Sequence, residues 1–469
     1  MRGRQRRARE AADPAPESFT IDEEVSHLTR IRSEPSQRIL GAFHAGRKRT
    51  LSTFELLSGR EFGRSGAGGF SAADCAYVGR KHLPTKGPWC VDDMTSEAYV
   101  SQFSSDGSLL VAGFRGSRIR VYDADNGWKV HKDISCQSLQ WTVSDIALSP
   151  DQQFLAYSSL SPIVHIVNVQ SGGKESQANV TEIHDGLNFS NADDDDDYPF
   201  GIFSVKFSKD GQEVVVGNND RSIHVYDLRA NKVSVRIRAH AADVNAVTFA
   251  DESGNVLYSG SDDNLCKVWD RRCLAREKPA GVLTGHLDGI TFIDSRGDGR
   301  YFISNCKDQT IKLWDVRKMS ASIKGRQQRL FDWDYRWMSF PSEARHYRHP
   351  NDQSLATYRG HSVLRTLIRC YFSPMYSTGQ RYIYTGSSDE SVYIYDVVTG
   401  DIVERLSWHG SIIRDCTWHP YSPTLVSSSW DGYLARWEVS GDEGDPWLLT
   451  DNDQRTSPPR QSYTRHLLL

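Results

Sequence analysis

The chain has 469 residues, 38% of them apolar and 25% charged, and its 56 Lys and Arg against 60 Asp and Glu give a net charge of −4. That length admits about three ordinary domains or one large repeat architecture. The near-balance of charge leaves no global field to hold a polyanion, which disfavours a general nucleic-acid binder, and eight Cys that never fall in a CxxC pair argue against a zinc site or a disulfide framework.

Residues 1–85 read as a partly disordered arm with short helices. The arm opens on Arg2, Arg4, Arg6, Arg7 and Arg9, a solvated basic terminus by the simplest reading, with a nuclear-import signal or a nucleic-acid arm as alternatives. Glu10, Asp13 and Glu17 follow too closely for a mitochondrial presequence. Helix-start signals stand at Thr20–Glu23, Ser52–Glu55 and Ser71–Asp74, and helices this short need the rest of the chain or a partner to dock on. The Gly-rich stretch 63–69 between the last two reads as a linker, since no strand precedes it and no Lys-Ser/Thr follows. No apolar run approaches a membrane-spanning length, so the expectation is a soluble intracellular protein of nucleus and cytoplasm that engages no membrane.

From residue 86 to 442 one unit recurs. Strands end in an aromatic-Asp pair or a close variant at Tyr122-Asp123, Val167-Asn168, Tyr226-Asp227, Trp269-Asp270, Trp314-Asp315, Tyr395-Asp396 and Trp437-Glu438. The spacings are 45, 59, 43, 45, 81 and 42 residues, so four match the period of WD40 blades and two carry insertions. The first insertion, about 172–199, is polar, ends in Asp193 through Asp197 and reads as a solvated loop. The second, about 319–357, holds Phe331, Trp333, Tyr335 and Trp337; packing across a propeller face is expected, with a binding edge as the alternative. Residues 443–469 read as a disordered tail.

One four-stranded sheet cannot bury both of its faces, whereas seven stacked around an axis can. The fold class expected is therefore all-β: a seven-bladed WD40 β-propeller with a partly helical N-terminal arm. The first two units rest on their turns, Phe103–Gly107 and Leu148–Asp151, which repeat as Phe207–Gly211 and Phe372–Pro374. The seventh lacks a fourth strand, and a segment around 79–91 is expected to complete it.

Four units share a finer register. A turn Asp lies six residues before the aromatic, a Ser or Thr four residues before that Asp, and a His upstream: His240, Ser259, Asp263 and Trp269; His286, Ser304, Asp308 and Trp314; His361, Thr385, Asp389 and Tyr395; His409, Ser427, Asp431 and Trp437. In such a structural tetrad the Asp accepts from the buried His, which passes to the hydroxyl and on to the indole, so each buried polar group is satisfied. Ser, His and Asp together also spell a hydrolase triad, but four copies at one period argue for scaffolding. No phosphate loop, HExxH or GxSxG occurs, no cofactor is implied, and no polar constellation converging on the central channel is legible.

Three consecutive units end in aromatic-Asp-x-Arg: Tyr226–Arg229, Trp269–Arg272 and Trp314–Arg317. Each Arg follows the third strand, so all three lie on one face and offer fixed forks to one partner; a salt bridge to the blade's own Asp is the competing reading. This box, together with Asp243–Asp251, Gly285–Ser295, Lys307–Asp315, Trp333–Trp337 and Ser427–Gly432, resembles the WD-repeat protein 23 type of DDB1- and CUL4-associated factor, with plant-like features at Ser71–Cys75 and Gly87–Trp89. The resemblance covers residues 71–440. It implies a non-catalytic substrate receptor in which one face, through Arg272 and Arg317 with Asp270 and Asp315, and the helical arm hold the damaged-DNA-binding adaptor (DDB1) of a cullin-4 RING ubiquitin ligase, while the other face captures a protein substrate. Arg229 matches less fully, because Tyr226 stands in place of Trp. Trp333–Arg336 fits the four letters but has no strand pattern before it and reads as a decoy. The alternative function is a general protein or ribonucleoprotein assembly scaffold.

Overall fold

The structure, a computed structural model, describes residues 79–80, 83–137, 141–169, 185–190, 200–276, 278–322 and 333–439. The three helix signals of the arm, the five-Asp run and the tail lie outside the described residues. Seven four-stranded antiparallel sheets follow one another, so the chain is a seven-bladed β-propeller. Blades one to six span 98–135, 145–188, 202–238, 244–283, 290–359 and 370–407. The seventh joins Ile413–Trp418, Leu425–Ser429 and Tyr433–Val439 to Pro84–Asp93.

Strand composition follows distance from the axis. Second strands are covered on both faces and carry short apolar runs, as in residues 214–217 of Glu213–Asn218 and in Leu109–Phe114. Outer strands form the ring's edges and carry charge, as in Lys129–Ser135 with Lys129, Lys132 and Asp133 and Lys232–Arg238 with Lys232, Arg236 and Arg238, which discourages pairing with another chain. Between blades the side chain before the closing Asp or its counterpart, aromatic in six blades and Val167 in blade two, fills the gap: Trp269 packs with Val215 and Val247, and Trp314 with Tyr258 and Phe302.

The ring closes through Pro84–Asp93, which pairs antiparallel with Tyr433–Val439 from Pro84 opposite Val439 to Asp93 opposite Tyr433. Asp92 then ties this strand to blade one, accepting from Arg120 at 2.7 Å and from the Tyr122 hydroxyl at 2.5 Å. The turn after Asp431 completes the join. Gly432 has φ +90°, and a Cβ there would sit 2.0 Å from the Met94 carbonyl oxygen, so only glycine fits.

All third strands run in one direction. The turns that lead into them lie on one face of the ring, called here the tetrad face; their aromatic-Asp ends lie on the other, the box face.

Candidate functional site: an arginine row on the box face

Asp270 and Asp315 each turn the chain back so that the residue two places on can bond to them. The Arg272 backbone N–H donates to Asp270 Oδ1 at 3.0 Å, and its Nε and Nη2 donate to the two carboxylate oxygens at 2.9 and 2.7 Å. Arg317 repeats the arrangement on Asp315, with Nη2 at 2.7 Å from Oδ2. Arg300 also donates to Asp315 Oδ2, at 3.2 Å, so that buried carboxylate is held from two sides. The carboxylate grips two guanidinium nitrogens and fixes the plane of the fork. The arginine side chains nevertheless keep 66% and 55% of their surface exposed. A bridge to the blade's own Asp and a surface for a partner are thus compatible in one side chain. At Arg229 the turn forms through the backbone N–H, 2.9 Å from Asp227 Oδ1, and the exposed side chain makes no ion pair with Asp227. The three arginines stand at the same end of three neighbouring blades.

Trp333–Arg336 makes the same local turn, with Arg336 Nε 3.1 Å from Asp334 Oδ1. Its place differs. The Tyr335 carbonyl accepts from the Arg365 backbone N–H, and the Tyr335 ring lies 4.3 Å from Lys307 Nζ. Lys307 precedes the tetrad turn at Asp308, so this copy sits on the opposite face from the row.

Three of the four expected tetrads assemble. His240 Nδ1 lies 2.9 Å from Asp263, its Nε2 2.7 Å from Ser259 Oγ, and Trp269 Nε1 donates to that oxygen at 2.9 Å. His286, Asp308, Ser304 and Trp314 repeat this at 3.0, 2.6 and 2.7 Å. His409, Asp431, Ser427 and Trp437 do so at 2.9, 2.8 and 3.0 Å. One proton assignment satisfies every atom: His Nδ1–H to Asp, Ser O–H to His Nε2, Trp N–H to Ser. Burial alone would raise the Asp308 carboxyl, but His286, Thr310 and Lys312 hold it well below the usual range.

Blade six departs from the pattern. Tyr395 carries its hydroxyl further out than an indole N–H, and that hydroxyl meets His361 Nδ1 at 3.0 Å, while His361 Nε2 turns to Asn305 Oδ1 of blade five. Thr385 Oγ1 donates to the Arg369 carbonyl instead, and Asp389 accepts from Tyr393 and Arg405. The set His361, Thr385, Asp389 and Tyr395 is therefore corrected to two separate networks. Burial pushes the His361 imidazole down to about 4. Blade three builds a further variant that the repeat register did not reveal, with Ser222 Oγ between Asp220 and His224 Nε2.

His286, Cys306 and Asp308 offer ligand atoms within 4.8 Å of one another. His286 and Asp308 are committed to each other in the tetrad, and Cys306 Sγ donates to the Asp288 carbonyl at 3.1 Å.

The channel holds what the sequence did not disclose. Arg369 of blade six reaches across the ring to Asp145 of blade two at 2.8 Å and to Asp415 of blade seven at 3.4 Å. Arg414 donates to the Tyr99 carbonyl at 2.6 Å and to the Ser144 carbonyl at 3.1 Å, and Lys206 lies 3.3 Å from Asp145. Burial would raise Asp145, but Arg369 and Lys206 hold it low; burial and the like charge of Arg369 push Arg414 down to about 10. Charged residues in the inner strands of successive blades were the available signal, since an ion on an apolar inner strand must find a partner. Each of these five has a partner in the set or on the backbone beside it.

Comparison with known proteins follows the same lines. Residues 102–276 match the family described as nucleolar protein 10-like, N-terminal domain, and residues 277–315, 352–396 and 400–438 match the WD domain, G-beta repeat. The LEC14B protein of Lithospermum erythrorhizon is 60% identical over 93% of this chain and 92% of its own length. The LEC14B homolog of Prunus armeniaca is 61% identical over 92% and 91%. The DDB1- and CUL4-associated factor 11 homolog of Caenorhabditis elegans is 34% identical over 87% of this chain and 72% of its own.

Proposed function

The chain belongs to the WD-repeat family that includes LEC14B and the DDB1- and CUL4-associated factor 11 homologues, and on that premise we propose that it is a non-catalytic substrate receptor. It bridges target proteins to the DDB1 adaptor of a cullin-4 RING ubiquitin ligase and so promotes their ubiquitination. The observation that carries the reading is the arginine row: Arg272 and Arg317, each oriented by its own Asp and each more than half exposed, at the same end of adjacent blades. Such forks suit carboxylates on a partner's surface. The receptor makes no covalent bond; holding a substrate beside the charged conjugating enzyme raises its effective concentration.

Affinity copurification tests this. The adaptor and cullin-4 are expected with the wild-type chain and absent with Arg272→Ala/Arg317→Ala, in which Arg300 still donates to the buried Asp315. A double variant that still brings down the adaptor refutes the assignment. Absence of the adaptor from both samples favours an assembly scaffold.

A further inference from the structure

The aromatic insertion of blade five divides into two kinds of side chain. Trp333 is 7% exposed and packs edge-on against Phe340, and Tyr335 is held between Lys307 and the backbone of Arg365. These two fix the segment to the tetrad face. Trp337 and Met338, by contrast, are 78% and 54% exposed, and Arg336 beside them is 60% exposed. A Trp and a Met held side by side in water by a rigid support represent unspent hydrophobic free energy.

The charge around them has one sign in excess. In a chain of net charge −4, Arg336 is exposed beside Trp337 and Met338 with Asp334 as its carboxylate, and Arg365 is exposed directly beside Tyr335. Two cations against one anion leave a surplus of one at this site. Lys307 adds nothing, since Asp262 neutralises it at 2.7 Å.

We infer that Arg336, Trp337, Met338 and Arg365 form a docking surface for an acidic peptide segment bearing an apolar side chain. This rests on the receptor reading and supplies its substrate side, on the face opposite the arginine row. The apolar residue of the peptide covers Trp337 and Met338, and flanking carboxylates meet the Arg336 and Arg365 guanidiniums. Exposed Trp and Arg at a rigid site are the residue types that dominate binding energy in peptide and protein recognition. The two faces are separated by the full height of the ring, so adaptor and peptide can be bound together.

Fluorescence polarisation with the full chain, without adaptor, tests the inference. Three fluorescein-labelled twelve-residue probes serve: one of Asp and Glu with two central Leu, one with Lys replacing the acids, and one with Ser replacing the Leu. The first is expected to bind, and the others to bind at least about tenfold more weakly. Trp337→Ala/Met338→Ala and Arg336→Glu/Arg365→Glu should each weaken the first probe by about tenfold or more at unchanged Tm, and Arg272→Ala/Arg317→Ala should leave it unaffected. No binding of the first probe overturns the inference, as does equal binding of all three, insensitivity to the Trp337 or Arg336 variants, or displacement of the probe by a uridine-rich RNA oligomer at lower concentration than by unlabelled peptide. Adaptor copurification reports on the receptor reading alone: peptide binding that persists in a chain that captures no adaptor removes that reading and leaves the surface.

Discussion

Ser304 Oγ stands where three groups meet: it receives the Trp314 indole N–H and pairs with His286 Nε2, whose other nitrogen engages Asp308. Ser304→Ala leaves two buried polar atoms without partners, and such orphans cost about 1–3 kcal/mol each rather than the smaller net value of a hydrogen bond. Thr385 occupies the matching position in blade six but donates to backbone carbonyls. Thr385→Ala is therefore expected to cost about 1 kcal/mol, and urea midpoints for the two variants should differ in that order. Equal losses would show that the serine is not the hub of its network. His361 gives a second, pH-dependent signature. An unfolded histidine titrates near 6.5 and the folded one near 4, because burial disfavours its charged form. Between those values the unfolded chain holds one more proton than the folded chain, so stability is lost as pH falls from 6.5 to 4, by about 1.4 kcal/mol per unit and roughly 3 in all. His361→Gln removes that contribution. The difference in stability between pH 7 and pH 5 should shrink in the variant, and an unchanged difference would mean that His361 takes up its proton without unfolding.

The closing strand Pro84–Asp93 supplies the seventh blade's fourth strand from the opposite end of the chain. Removing residues 1–78 leaves every strand of the ring in place, whereas removing residues 1–93 strips the outer edge of Tyr433–Val439 and deprives Arg120 and Tyr122 of Asp92. The longer deletion is expected to lower Tm by more than 10 °C or abolish soluble expression, as about ten ordered residues and a partly buried ion pair are lost, with the shorter one close to wild type. Similar melting of the two would mean that closure contributes little. Elements of this kind were legible in outline. The recurrent endings, aromatic in six units and Val167 in the second, marked all seven third strands because each such side chain must fill a gap between blades, and the incomplete last unit called for a closing segment around residues 79–91. The tetrads were legible where Trp ends the strand. In blade six the same His, Thr and Asp spacing carries a Tyr, and a para-hydroxyl cannot take the place of an indole N–H, so spacing alone misassigned the network. The arginine row could be placed on one face from strand direction. Which aromatics of the insertion are anchored and which are exposed could not be read, because Trp333 and Trp337 differ only in contacts made with residues distant in sequence.

The channel belongs to the molecule as a whole, since Asp145, Lys206, Arg369, Arg414 and Asp415 come from four blades and no local pattern links them. These residues tie the ring across its diameter. Arg369 is the centre: it lies between Asp145 and Asp415, both fully buried, and its charge offsets both. Arg369→Ala leaves Asp145 to Lys206 and Asp415 to the Tyr371 hydroxyl and the Ser101 backbone N–H, and losing one partner of a buried ion pair costs about 3–5 kcal/mol. Asp145→Asn alone leaves Arg369 with Asp415 and should cost less. In the double variant Arg369→Ala/Asp145→Asn one of the two carboxylate charges is gone, so the combined loss should fall below the sum of the two single losses by about 1–3 kcal/mol. Chemical denaturation of the four proteins at neutral pH gives the cycle directly. Strict additivity would mean that the arginine and the aspartate act independently, and that the blades hold together through the packing between them alone.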